Sequence, residues 1–411
     1  MEVSDNGVAG PVRDRLWTRN YIFMCIANFM MAFSFFLLVP TLPFYLKERF
    51  GASQSLVGVI LSCYTVAVLS VRPFAGFVAD MFPRKRVYII AMLMFVSAFF
   101  GYFTIATTLA LFIGLRVYHG LAFGALTTTG NTLVIDIMPS SRRGEGLGYF
   151  GVMNNTAMAI GPMVGLFISE TGDFRALFWC AACAATTALF FGSLVHAPRR
   201  APAPQPNSTL SVDRFFMVEG IPACLSLFLL AIPYGMTTCY MALYASEVGI
   251  ASNSGLFFTV MAAGLIVSRL SSGKRVDRGY VTQTIRSGIA IAVFGILGEG
   301  VLGAVCERSI AAGYAVYYLS ALLIGYGFGT MFPAFNTLFI NLAPNNRRAT
   351  ANATYLTGWD VGIGCGMLLG GYISEQMGFS AIYLTGMVLS VGSFLLFTIY
   401  VTPHFQRHRL R

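Results

Sequence analysis

Charge is what this sequence has least of. Only 11% of its residues are Asp, Glu, Lys or Arg, less than half the share of about 25% that a soluble domain uses to cover its surface. A water-exposed protein of this length is excluded. Histidine is scarce as well, with His119, His196, His404 and His408 the full set. No apolar stretch carries clustered histidines, paired carboxylates or a nucleophile beside a base, which argues against a membrane-embedded enzyme. No phosphate-cradling glycine loop with its lysine is present, so ATP-driven transport is excluded too. The eight cysteines show no zinc spacing: Cys180 and Cys183 have no second pair. Cys25, Cys63, Cys224, Cys239, Cys306 and Cys365 read with them as small packing residues. Neither a metal nor a cofactor is expected. No cleavable leader is expected either, because the first apolar run is too long for one and continues into more of the same.

What fills the chain instead is apolar. Hydrophobic residues make up 56%, aromatics 14%, and there are 43 glycines, a composition suited to helices packed closely in lipid. Apolar stretches of spanning length recur at 20–46, 55–78, 87–107, 110–136, 146–168 and 174–195. A second set follows at 217–244, 253–271, 286–305, 310–341, 350–373 and 379–401. The expected fold is therefore all-α, with twelve membrane-spanning helices. Residues 197–216, rich in proline and polar side chains, separate the sets. The predicted organisation is an N-terminal six-helix half over 1–196, a cytoplasmic linker over 197–216 and a C-terminal half over 217–411.

Basic residues orient these spans. With the N-terminus inside, 20 of the 27 Lys and Arg fall on the cytoplasmic face, among them Arg84, Lys85, Arg86, Arg142, Arg143, Arg347 and Arg348. Four fall outside: Lys47, Arg49, Arg175 and Arg308. Arg72, Arg116 and Arg269 lie within or at the edge of spans. Both termini are expected inside. The formal charge of +10 decorates one membrane face, so it does not point to nucleic acid.

The second half repeats the first. At an offset of 205, Gly120, Phe123, Gly124, Asn131, Thr132 and Pro139 recur as Gly325, Phe328, Gly329, Asn336, Thr337 and Pro344. The same register sets Gly161 and Gly165 on Gly366 and Gly370. Near Arg72 the offset is 197, matching Arg72, Gly76 and Asp80 with Arg269, Gly273 and Asp277. Two parallel repeats predict an alternating-access carrier with its site between the halves.

Four short segments carry a family resemblance. Gly76-Phe-Val-Ala-Asp80-Met-Phe-Pro-Arg84-Lys85-Arg86 resembles the loop 2–3 signature of the major facilitator superfamily, with Met81 and Pro83 departing from it. Arg116-Val-Tyr-His119-Gly120 is similar to that family's helix 4 motif. Ala157-Met-Ala-Ile-Gly161-Pro162-Met-Val-Gly165 resembles the helix 5 motif of its drug:proton antiporter branch, though Ala157 and Leu166 replace two usual glycines. Pro40-Thr-Leu-Pro43 is similar to the paired-proline element of twelve-helix members. The resemblance implies a latch of Asp80, Arg84 and Asp136 beside Gly76, closing against the start of helix 11 near Thr350. It also implies export. Gly161, Pro162 and Gly165 would bend helix 5 and let it approach a partner, and helix 11 carries Gly362, Gly366 and Gly370 at the same spacing.

Arg116 stands on one helical face with Gly120, Phe123, Thr127 and Asn131. Two roles stay open for it: acting on a carboxylate or substrate, or satisfying backbone carbonyls. Proton coupling requires a titratable group in mid-membrane. Asp360, about ten residues into helix 11, is the candidate, and its repeat partner is Asn155. Glu299 comes second, toward the outer end of a helix expected to be peripheral. The family fold implies a cavity lined by helices 1, 4, 7 and 10, giving Asn28, Phe36, Phe123, Tyr234, Tyr240, Phe328, Phe332 and Asn336 as lining groups. The expected function is secondary active, proton-coupled efflux of a small organic or amphiphilic compound by a monomer in a bacterial cytoplasmic membrane. Its partners would be that substrate, protons and the bilayer. The alternative is uptake or facilitated diffusion of a small nutrient such as a sugar or metabolite.

Overall fold

The computed structural model of the protein describes residues 15–139, 142–197, 217–250, 254–344 and 348–410. The side chains of Asp80, Lys274, Asp277 and a few other helical residues lie outside the described set, as does most of the 197–216 connector.

Short polar side chains start many of the helices. Thr18, Ser53, Thr108, Asp173 and Ser309 each accept a hydrogen bond from a backbone N–H in the first turn of the following helix, satisfying donors that the helix itself leaves free. The first span is α1 (Arg19–Phe36) and α2 (Leu42–Phe50), separated at the paired prolines Pro40 and Pro43. Gly51 ends α2 at φ 60°, a backbone conformation costly for residues with a Cβ. Then come α3 (Gln54–Met81), α4 (Arg84–Thr104), α5 (Leu109–Ile137), α6 (Arg143–Ser169) and α7 (Phe174–Leu194). The second half runs through α8 (Ile221–Glu247), α9 (Ser254–Asp277), α10 (Val281–Arg308), α11 (Ile310–Leu342), α12 (Arg348–Met377) and α13 (Phe379–Leu396). A π-helical turn, Phe397–Val401, joins α13 to α14 (Thr402–His408).

These make the twelve spans of an all-α membrane protein. Among the described residues, nine helical stretches are long and apolar enough to cross a membrane by themselves. The exceptions are informative. Helix α1 stops at the prolines, α9 loses its apolar character after Arg269, and α12 opens on Arg348-Ala-Thr-Ala-Asn-Ala-Thr and carries Asp360.

Packing falls into two groups. Helix α1 lies against α6 and α7, and α5 against α3 and α4; in the second group α8 lies against α12 and α13, and α11 against α9 and α10. Close approach depends on glycine. A Cβ at Gly161 would meet the Phe36 Cβ at 2.8 Å, and one at Gly165 would collide with the Leu37 carbonyl oxygen. Gly362 and Gly366 stand in the same relation to Phe228, Ala231 and Ile232 of α8. So the helix 5 motif presses α6 onto α1, and its repeat presses α12 onto α8.

The groups touch along two seams, α3 with α12 and α6 with α9. Contact is tight at the end away from the termini. There a Cβ at Gly58 would meet the Met367 carbonyl oxygen at 2.7 Å, Tyr240 donates to that same oxygen at 2.7 Å, and Gly371 lies against the Gln54 carbonyl. At the end carrying the termini, Gly148, Gly151 and Gly273 have nothing within 4 Å, and Gly76 meets only Thr128 of its own half. Among the described residues, the glycine-fitted contacts between the groups lie at the end away from the termini.

Candidate functional site

The innermost contact described between the halves is an ion pair. Arg72 Nη2 on α3 lies 2.5 Å from Asp360 Oδ2 on α12, with side chains 21% and 25% exposed. The guanidinium approaches outside hydrogen-bonding alignment, and that oxygen has no other partner among the described residues. Asp360 is thus placed between the halves. Its partner Arg72 escaped the sequence reading, although the duplication had singled Arg72 out.

Each half brings a ring cluster toward this level. In the first, Phe35 stacks on Tyr64 and on Phe123 with centroids 5.0 and 4.8 Å apart. Phe35, missed in the sequence reading, supplies this ring from α1; the Phe36 ring meets it edge to face at 5.1 Å, with the Phe36 Cβ on Gly161. In the second, Tyr234, Phe328 and Phe332 surround Trp359, the Phe332–Trp359 rings meeting edge to face at 4.4 Å. Asn336 Oδ1 is buried there without a partner.

Arg116 is 3% exposed. Its guanidinium stands 4.4 Å over the Tyr64 ring, Nη1 donates to Tyr102 Oη at 3.4 Å, and Nε has no partner. The same Tyr102 hydroxyl lies 3.1 Å from Nδ1 of the buried His119. Among the described residues its contacts are with Tyr64 and Tyr102, and no carboxylate pairs with it. Gly120, one turn on, allows α5 to reach Tyr64 and Ala67 of α3.

Other candidates are structural ties. Asn28 Nδ2 donates to the Phe150 carbonyl at 3.1 Å, fastening α1 to α6. Tyr240 belongs to the closed seam. At the terminal end Arg84 Nη1 bridges both Asp136 oxygens at 2.8 and 2.9 Å, while the Asp80 side chain of the expected latch lies outside the described residues. Glu299 is 1% exposed and enclosed, not at a lipid-facing edge. Oε2 accepts from the Thr237 hydroxyl at 2.8 Å and Oε1 has no partner. Helices α11 and α13 flank α10 on the inner side, which buries a residue that looks peripheral in sequence. Among the described residues no group of His, Cys, Asp and Glu is arranged to hold a metal.

Two pseudo-symmetric halves, a charged contact between them and glycine-fitted seams are the anatomy of a carrier. Comparison agrees: the profile of the Major Facilitator Superfamily matches residues 24–362 and 291–410. The chain belongs to the Major Facilitator Superfamily. It is a multi-pass membrane transporter and not an enzyme. The staphylopine export protein of Staphylococcus aureus (strain Mu50 / ATCC 700699) is 24% identical over 368 residues, covering 86% of this chain and 89% of that protein. The quinolone resistance protein NorA of the same species is 26% identical over 181 residues, 44% of this chain and 46% of its own. Among solved structures, a variant of the peptide transporter POT in complex with alafosfalin superposes with TM-score 0.74 at 15% identity, covering 96% of both chains. The nucleoside transporter NupG does so with TM-score 0.68 at 15% identity, over 94% of this chain and 99% of its own. At such identities the structural likeness speaks for the superfamily fold alone.

Proposed function

We propose that this protein exports a small organic compound across a bacterial cytoplasmic membrane in exchange for protons, as a monomer with both termini inside. The observation that carries the reading is the Arg72–Asp360 ion pair described between the halves. With the termini in the cytoplasm, the glycine-fitted contacts lie toward the outside, which supports a state that loads substrate from the cell. A proton taken by Asp360 removes the charge that holds Arg72, so protonation and closure of this seam compete. Substrate arriving between the halves favours one arrangement and the proton the other, which is the linkage exchange requires. The Arg84–Asp136 pair, with Asp80 beside Gly76, acts at the inner end as a latch when that end closes. The two named relatives support the direction, since both are named for export or resistance.

The test is reconstitution into vesicles with a pH-sensitive dye and a mixed panel of organic compounds. Substrate-dependent proton release that disappears in Asp360→Asn is expected. Transport that persists without a proton gradient, and unchanged in Asp360→Asn, would replace this reading with facilitated diffusion.

A further inference from the structure

Three arginines lie within the spans, and one of the carboxylates there, Asp360, is paired with one of them. Arg269, the repeat mate of Arg72, has no ion pair or hydrogen bond among the described residues, and its Nη2 is buried without a partner. The duplication explains why. A Cβ at Gly58 on α3 would meet the Leu368 carbonyl oxygen of α12 at 3.1 Å, and one at Gly255 on α9 would meet the Met163 carbonyl oxygen of α6 at 3.2 Å. Gly255 is the mate of Gly58 at offset 197, and Leu368 the mate of Met163 at offset 205. The two seams therefore pack in the same register. Counting inward from these contacts, Arg72 meets Asp360 on one seam, and the offsets set Arg269 against Asn155 at the equivalent place on the other. The neutral amide leaves the second guanidinium uncompensated.

A lone charge inside a membrane bundle is costly, and such residues pair with one another or serve a ligand. Arg269 is half-buried with no ring over it among the described residues, whereas Arg116 is covered by Tyr64. Tyr355, one turn before Asp360 on α12, lies within electrostatic reach of both Arg269 and Asp360. The rings of Tyr234, Phe332 and Trp359 supply an apolar surface on the same half. We infer that Arg269 binds a carboxylate carried by the substrate, at the position the duplication gives to Asp360 on the other seam, with the substrate's apolar body on the Trp359 ring cluster. The planar guanidinium suits a carboxylate, which it can grip with two parallel N–H donors. The substrate class is a small organic acid with a bulky apolar part. This rests on the reading that the space between the halves is the substrate site, and not on proton exchange or direction.

The test is equilibrium binding to the purified full-length protein in detergent, where no gradient exists and a failure of proton exchange leaves the result untouched. Trp359 reports occupancy by its fluorescence once Trp17 and Trp179 are changed to Phe. The probes are 2-naphthoate, 2-naphthamide and 2-naphthylmethylammonium, alike in shape and different in charge. Naphthoate is expected to bind at least tenfold more tightly than the other two. Arg269→Gln should erase that preference. Asn155→Asp should erase it as well, by giving Arg269 an internal partner, with the thermal midpoint kept or raised. Equal affinity for the three probes, no binding of naphthoate, or a naphthoate preference that survives both substitutions would overturn the inference.

Discussion

Ser55 on α3 donates its backbone N–H to Glu375 on α12 at 2.7 Å, so a carboxylate from one half caps the first turn of a helix in the other. The helix dipole favours that charge. Glu375 stands at the outer rim, beyond the apolar part of α12, and the Ser55 N–H holds its carboxyl below the ordinary value of 4.5. Closure gains from this contact fully above 4.5 and loses it as pH falls through the lowered value. Glu375→Gln should therefore loosen the closed end at neutral pH, where the native contact is intact. Spin labels placed across α3 and α12 at that end should show a longer, broader distance distribution in the variant. An unchanged distribution would remove the cap from the account of closure.

Arg72 and Asp360 form a pair that is neither buried nor free. Fully buried pairs lose about 3–5 kcal/mol when one partner is removed, and exposed pairs contribute about 0–1. With a fifth to a quarter of each side chain exposed, a double-mutant cycle of Arg72→Gln and Asp360→Asn should give a coupling of about 1 kcal/mol, read from chemical unfolding in detergent. Additive single effects would mean the two charges do not act on each other.

Glycines of α6 separate by position. Gly165 lies on the Leu37 carbonyl, whereas Gly148 and Gly151 face open space. Gly165→Ala should lower the thermal midpoint, with an overpacking cost of about 1–3 kcal/mol. Gly151→Ala should be neutral or raise it, because alanine is the better helix former by about 1 kcal/mol. The opposite order would contradict the α1–α6 packing.

Glu299 relies on one hydroxyl. Thr237→Val removes the sole described donor to its carboxyl and should cost about 1–3 kcal/mol, the usual penalty for stranding a buried polar group. Glu299→Gln keeps the shape and an acceptor, so it should cost less. Thermal midpoints of the two variants in the same detergent decide the matter.

The membrane fold was legible because hydropathy, length and duplication all repeat along the chain. Arg84 with Asp136 was legible through a short motif, and Asp360 as a lone acid in mid-span. Arg72 as its partner was not: the two are separated by most of the protein, and their meeting depends on the register of α3 against α12. A signal did exist, since Gly58 and Gly255 repeat at the same offset as Arg72 and Arg269 and fix that register. Phe35 was missed beside Phe36 on a helix about to break at Pro40, where a single step turns a side chain by about 100°. Glu299 looked peripheral because order along the chain does not reveal that α11 and α13 fold over α10.

The pairing of Asp360 with Asn155 across the duplication makes the two seams mechanically unequal. An ion pair crosses one seam; among the described residues no ion pair crosses the other, where glycine meets a carbonyl. A carrier built of equal repeats would rock evenly about its centre. In this one, raised salt is expected to weaken the α3–α12 seam and to leave the α6–α9 seam unchanged.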